Sequence, residues 1–399
     1  MSTIRLCIFS GLAAAALPFL GLQAQTLTTL YSFAGGADGA NPNAALLYSG
    51  GSLYGTTLVG GTGGQGTVFK LNPATGTEAV LHSFIPGTDG ENPSGSLIAR
   101  GGALFGTTSG GGGGSNCLSA GCGTVFRVDA ATGAEKILYR FAGGSDGGFP
   151  FAGVIAYGGA LYGTTGDFGG GYGTVFKIDP ATGAETKLHT FTQSDGHQPY
   201  APLTARAGAL YGTTEAGGTT GCAQEGCGTV FKIDPATGDE SMVYEFASTP
   251  DGASPLAGLV AAGGAFYGTT PWGGKADSGT VFKVDIRTGA ERVLHSFGGR
   301  GGGGGPTSGL IFANGALYGT TSLGGTFNRN CTDAEQSTGC GVIFKVDAKS
   351  GVETVLYRFT GTKDGSDPTG GLIYQAGVFY GTTFAGGATG NGTVFSFVP

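Results

Sequence analysis

Few side chains in this sequence could do chemistry, and they are scattered. Asp167, Glu215, Glu225, Asp333 and Glu335 are carboxylates that, suitably paired, could act as acid and base on a glycosidic bond. Trp272, the one tryptophan, stands among glycines and could stack on a sugar ring or another flat ligand. His197, Phe168 and Arg329 complete the set. All of these interrupt a pattern that the rest of the chain repeats. A lone histidine in Asp195-Gly-His-Gln-Pro199 makes neither a triad nor a metal site. No Gly-x-Ser-x-Gly elbow has suitable partners. Gly111–Gly114 and Gly301–Gly305 lack the lysine and helix of a phosphate loop.

The scaffold that must hold these residues is a pair of phrases written seven times. One reads Leu161-Tyr-Gly-Thr-Thr165, the other Gly173-Thr-Val-Phe-Lys-Ile-Asp179. Such periodicity marks repeat architectures. With 85 glycines and 12% charged residues, an aperiodic chain would be disordered. Here every unit also carries β-branched and aromatic runs able to pack. In one unit Pro93–Ala99 predicts a short first strand, Ala103–Thr108 a second, Gly123–Val128 a third and Lys136–Phe141 a fourth. Turns such as Asp179-Pro-Ala-Thr-Gly183 close the hairpins. Four antiparallel strands make a propeller blade.

Residues 27–33 match a fourth strand, whereas the last unit stops after its third, Gly392–Phe395. The expected fold is therefore all-β: a seven-bladed β-propeller, closed when the N-terminal strand completes the last blade. Residues 1–24 read as a signal peptide, with Arg5 before an apolar run, and 25–399 as one propeller domain. The phrases resemble the Gloeo/Verruco (GloVer) tandem-repeat family of secreted bacterial proteins, over essentially the whole mature chain. That resemblance implies a secreted, propeller-like protein and carries no catalytic residues with it.

The loops between second and third strands, and those between blades, should share one face, and the variable residues all fall there. Cys117 and Cys122, Cys222 and Cys227, and Cys331 and Cys340 lie close in sequence within these loops. They predict three disulfides, each contributing about 2 kcal/mol, rather than a zinc or redox site. Asp-Gly recurs before most first strands, at Asp38, Asp89, Asp146, Asp195, Asp251 and Asp364. Turn chemistry is the expectation, with a calcium-binding ring as the competing one. His82, His189 and His295 exchange with Tyr31, Tyr139, Tyr244 and Tyr357, which predicts a structural role. A net charge of −7 argues against nucleic acid. The sequence thus predicts a monomeric, non-catalytic binding or scaffolding module, extracellular or periplasmic, without a cofactor or a transmembrane segment. Its partner would be a glycan, a peptide or an envelope protein. The competing reading is a polysaccharide hydrolase or lyase.

Overall fold

The computed structural model describes residues 25–87, 89–114, 116–117, 121–166, 171–219, 221–223, 225–331 and 339–399. The expected signal segment lies outside them, as do Asp167, Phe168, Asp333 and Glu335. Seven four-stranded antiparallel sheets form the ring. Blades 1 to 6 take their strands in sequence order. Blade 7 takes three strands from the C-terminal end and its fourth from Thr26–Ser32, which pairs with Thr393–Val398. The predicted closure is present, and it removes two open sheet edges.

Most letters of the repeated phrases have a packing reason. The tyrosine ring lies under the third-strand lysine: Lys70, Lys177, Lys283 and Lys345 sit 5.8–5.9 Å from the rings of Tyr54, Tyr162, Tyr267 and Tyr318. The glycine makes room for the third-strand phenylalanine. A Cβ on Gly163 would stand 2.5 Å from the fully buried Phe176 ring. The first threonine reaches sideways, as Thr107 Oγ1 does to the Ala152 carbonyl of the next blade at 2.8 Å. The second pairs with the third-strand threonine, as Thr165 Oγ1 does with Thr174 Oγ1 at 2.8 Å.

Neighbouring blades meet edge to face. At all seven junctions a phenylalanine that follows the fourth strand packs on the third-strand phenylalanine of the next blade. Centroids are 4.9–5.3 Å apart, from Phe33–Phe69 round to Phe359–Phe395.

One expectation needs correction. The first strand of blade 2 is Ile98–Arg100, not Pro93–Ala99. The preceding segment bonds to its neighbour instead of to its own blade: Ser94 Oγ donates to the Phe151 carbonyl at 3.0 Å. Asn92, just before Pro93, has φ 55°, which turns the chain out of the strand. These segments line the central channel.

Candidate functional site

The two faces divide as expected. On the hairpin face the turn aspartates cap their own turns: Asp129 Oδ1 accepts from the N–H groups of Ala131 and Thr132 at 3.0 and 2.9 Å. Those bonds hold the carboxyls of Asp129, Asp179, Asp285 and Asp347 below their usual range. On the other face the inter-blade loop bridges a loop between second and third strands in six blades, as Ala253 does with Trp272 and His197 with Ala216. The three predicted disulfides are all formed there.

The channel encloses about 710 Å³. Glycine, alanine, serine, threonine and leucine dominate its wall, and Tyr200 is the one titratable side chain among the lining residues. Burial raises the Tyr200 phenol, and the Glu215 charge raises it further. Thr307 and Thr369 present buried hydroxyls without partners to this space.

The titratable groups lie instead at the perimeter, between blades. The Asp-Gly aspartates are tethers, as the turn reading predicted. Asp146 Oδ2 accepts from the Ala142 N–H at 2.7 Å, and Oδ1 accepts from the Tyr139 hydroxyl at 2.6 Å. At other junctions histidine takes the tyrosine's place, with His82 Nε2 at 2.9 Å from Asp89 and His189 Nε2 at 3.1 Å from Asp195.

Sequence reasoning missed the third member, a glutamate that opens the fourth strand of the next blade. Burial first, then the nearby aspartate, pushes Glu78, Glu135, Glu185, Glu240 and Glu291 up to about 7. Their regular recurrence was the signal that could have found them. Five junctions carry the full trio. Between blades 6 and 7 Leu27 stands where the glutamate would, and between blades 5 and 6 Gly302 stands where the aspartate would. Among the described residues, the histidine-bearing trios are the side-chain groups placed to hold a metal.

Three candidates from the sequence converge on the loops of blade 4. Burial raises the half-buried Glu215 carboxyl, and exposed Glu225 raises it further. Burial holds the His197 imidazole low against the pull of Glu225. His197 packs edge-on against Tyr172, with centroids 5.6 Å apart. Such a group could serve as acid and base beside the channel mouth that Tyr200 enters.

Trp272 belongs to a different place. It lines a cleft of about 220 Å³ between blades 5 and 6, with Asp277, Arg300, Leu323 and Phe327. Trp272 is 52% exposed and Phe327 45%, so both aromatic residues stand open in a cleft that Arg300 also lines. The backbone beneath is fixed: the Trp272 carbonyl accepts from Ala253 N–H and from Thr270 Oγ1, and Asp277 Oδ1 accepts from Gly273 N–H. Arg300 and Phe327 were not singled out from the sequence. Arg300 is hidden in a glycine run and has φ 50° in a single helical turn. Arg329 stands exposed two residues beyond Phe327.

The ring of seven repeated blades, with its variation confined to one face, defines a tandem-repeat β-propeller. The chain belongs to the Gloeobacter/Verrucomicrobia repeat family, whose model matches residues 19–170, 113–246 and 219–399 in overlapping stretches. No curated protein matches it in sequence. Among solved structures it is similar to an oligogalacturonate lyase in complex with manganese, at 16% identity and TM-score 0.55, covering 93% of this chain and 92% of that one. An oligogalacturonate lyase from Vibrio parahaemolyticus gives 13% identity, 93% coverage of each chain and TM-score 0.55. A putative 6-phosphogluconolactonase from Bacteroides uniformis gives 17% identity, TM-score 0.53 and coverage of 83% and 88%. At these identities the likeness shows the fold alone. Among the described residues no helix is long and apolar enough to cross a membrane.

Proposed function

We propose that this protein is a secreted, non-catalytic saccharide-binding module whose ligand rests in the loop-face cleft between blades 5 and 6. One observation carries the reading: Trp272 and Phe327, both about half exposed, line one cleft together with Arg300. Aromatic rings bind the apolar face of a sugar, and a guanidinium pairs with a carboxylate. The favoured ligand is therefore a saccharide bearing a uronate. The three disulfides support an oxidising address, extracellular or periplasmic. The net charge of −7 supports a partner other than nucleic acid.

A glycan array spanning neutral and uronate-bearing saccharides tests this. Trp272→Ala should weaken binding more than about tenfold, the scale at which an aromatic anchor is lost. Arg300→Asn, which tolerates the left-handed backbone, should remove the preference for uronates. No bound glycan, or undiminished binding by Trp272→Ala, would contradict the proposal.

A second reading rests on Glu215, Glu225 and His197: hydrolysis or lyase chemistry, with the half-buried Glu215 as acid. Its test is product release from uronate polymers, abolished by Glu215→Gln. Absence of product from every polymer bound on the array removes it.

A further inference from the structure

The seven junctions are variations on one trio, which allows each to serve as a control for the others. Three carry tyrosine, aspartate and glutamate: Tyr31–Asp38–Glu78, Tyr139–Asp146–Glu185 and Tyr244–Asp251–Glu291. Two carry histidine in the tyrosine's place. In these the donor atoms of His82, Asp89 and Glu135, and of His189, Asp195 and Glu240, all lie within 4.8 Å of one another. Glu135 Oε1 and Glu240 Oε1 are buried and have no hydrogen-bond partner. The same holds for the matching oxygens of Glu78, Glu185, Glu291 and Glu353, so a histidine beside the aspartate is what sets these two junctions apart. His82 and Asp89 keep 16% and 14% side-chain exposure, so an ion could reach them from solvent.

We propose that His82–Asp89–Glu135 and His189–Asp195–Glu240 are two zinc sites at the rim of the propeller, each stapling one blade to the next. One imidazole and two carboxylates from two blades supply three ligands, and the fourth position opens to solvent for water. Zinc–nitrogen and zinc–oxygen bonds of about 2.0–2.2 Å place tetrahedral ligands about 3.3 Å apart. The histidine–aspartate separations of 2.9 and 3.1 Å need open by only a few tenths of an ångström. Imidazole selects zinc over calcium, whose sites are built of oxygen alone. A phenol in the same position keeps its proton and donates a hydrogen bond to the aspartate, which leaves the tyrosine junctions as hydrogen-bonded tethers. The third histidine junction has only His295 and Glu353, 3.8 Å apart, and falls one ligand short.

The repeat itself supplies the test variants. His82→Tyr and His189→Tyr install the residue that other blades carry at the same position, so the blades should fold as those do. Chelator-treated protein is dialysed against zinc chloride, and bound metal is then counted by elemental analysis, with thermal melts confirming the fold. The expected result is two equivalents in wild type, one in each single variant and none in the double variant. Calcium chloride should leave no bound metal. A folded double variant retaining as much zinc as wild type, or a wild type holding none, would overturn both sites. A single variant retaining both equivalents would overturn the site whose histidine it lacks.

Discussion

The junction between blades 5 and 6 is built like the others and lacks one part. Elsewhere an aspartate ties the inter-blade loop to its own backbone and to a tyrosine or histidine, as Asp251 does with Ala247 and Tyr244. Between blades 5 and 6 Gly302 stands there instead, while the aromatic contact Phe297–Phe344 is kept at 5.0 Å. The loop that lost its tether is also the one that brings Arg300 to the cleft of Trp272 and Phe327. Cohesion thus resides in what every junction shares, and recognition is expected at the junction that lacks the aspartate tether.

Phe191→Ala, between blades 3 and 4, and Phe297→Ala, between blades 5 and 6, should each cost about 3–5 kcal/mol in denaturant unfolding. Markedly unequal costs would show that the two junctions differ in more than the tether. Asp251→Ala leaves the part-buried Ala247 N–H, the buried Gly252 N–H and the Tyr244 hydroxyl short of an acceptor and should cost about 1–3 kcal/mol by the same measurement. Gly302→Asp rebuilds the missing tether in open space, where only Glu353 Oε2 approaches the new Cβ, at 3.8 Å. A higher melting temperature than wild type is expected, and zinc capacity should rise from two equivalents to three. A lower melting temperature would show that the glycine serves something other than loop release.

The tethered junctions also set the pH response. Glu78, Glu185 and Glu291 titrate near 7 in the folded chain, above the ordinary carboxylate value of about 4.3. The folded state therefore holds more protons across this interval, and stability falls as pH rises from about 4.5 to about 7. The exposed turn aspartates, held low, oppose this only below about pH 4. Metal-free protein should melt a few degrees higher at pH 5.5 than at pH 8, and Glu185→Gln should flatten part of that slope. The smallest effect on stability belongs to Trp272→Ala, within about 0.5 kcal/mol, because its ring is half exposed.

Most of the architecture was legible in the sequence because repetition multiplies weak local signals. The second, third and fourth strands, the ring closure and the cysteine pairs all follow from aligned units. The channel-lining segments were not legible as such, since Pro93–Leu97 and its counterparts bond to the neighbouring blade and small residues reveal no period. The glutamate trios were missed for a related reason: Glu135 meets Asp89 only across a blade boundary that separates them in sequence. Of the candidate residues, Trp272 depended on finding Phe327 and Arg300. His197, Glu215 and Glu225 proved to be neighbours because two bridged loops carry them.

Hydrogen exchange with and without a bound uronate-bearing saccharide tests the central proposal most directly. Binding in the cleft between blades 5 and 6 predicts slowed exchange at 271–278, 299–305 and 323–327, with the hairpin turns unchanged. Protection confined to 197–200 and 215–225, or to the hairpin face, would contradict it.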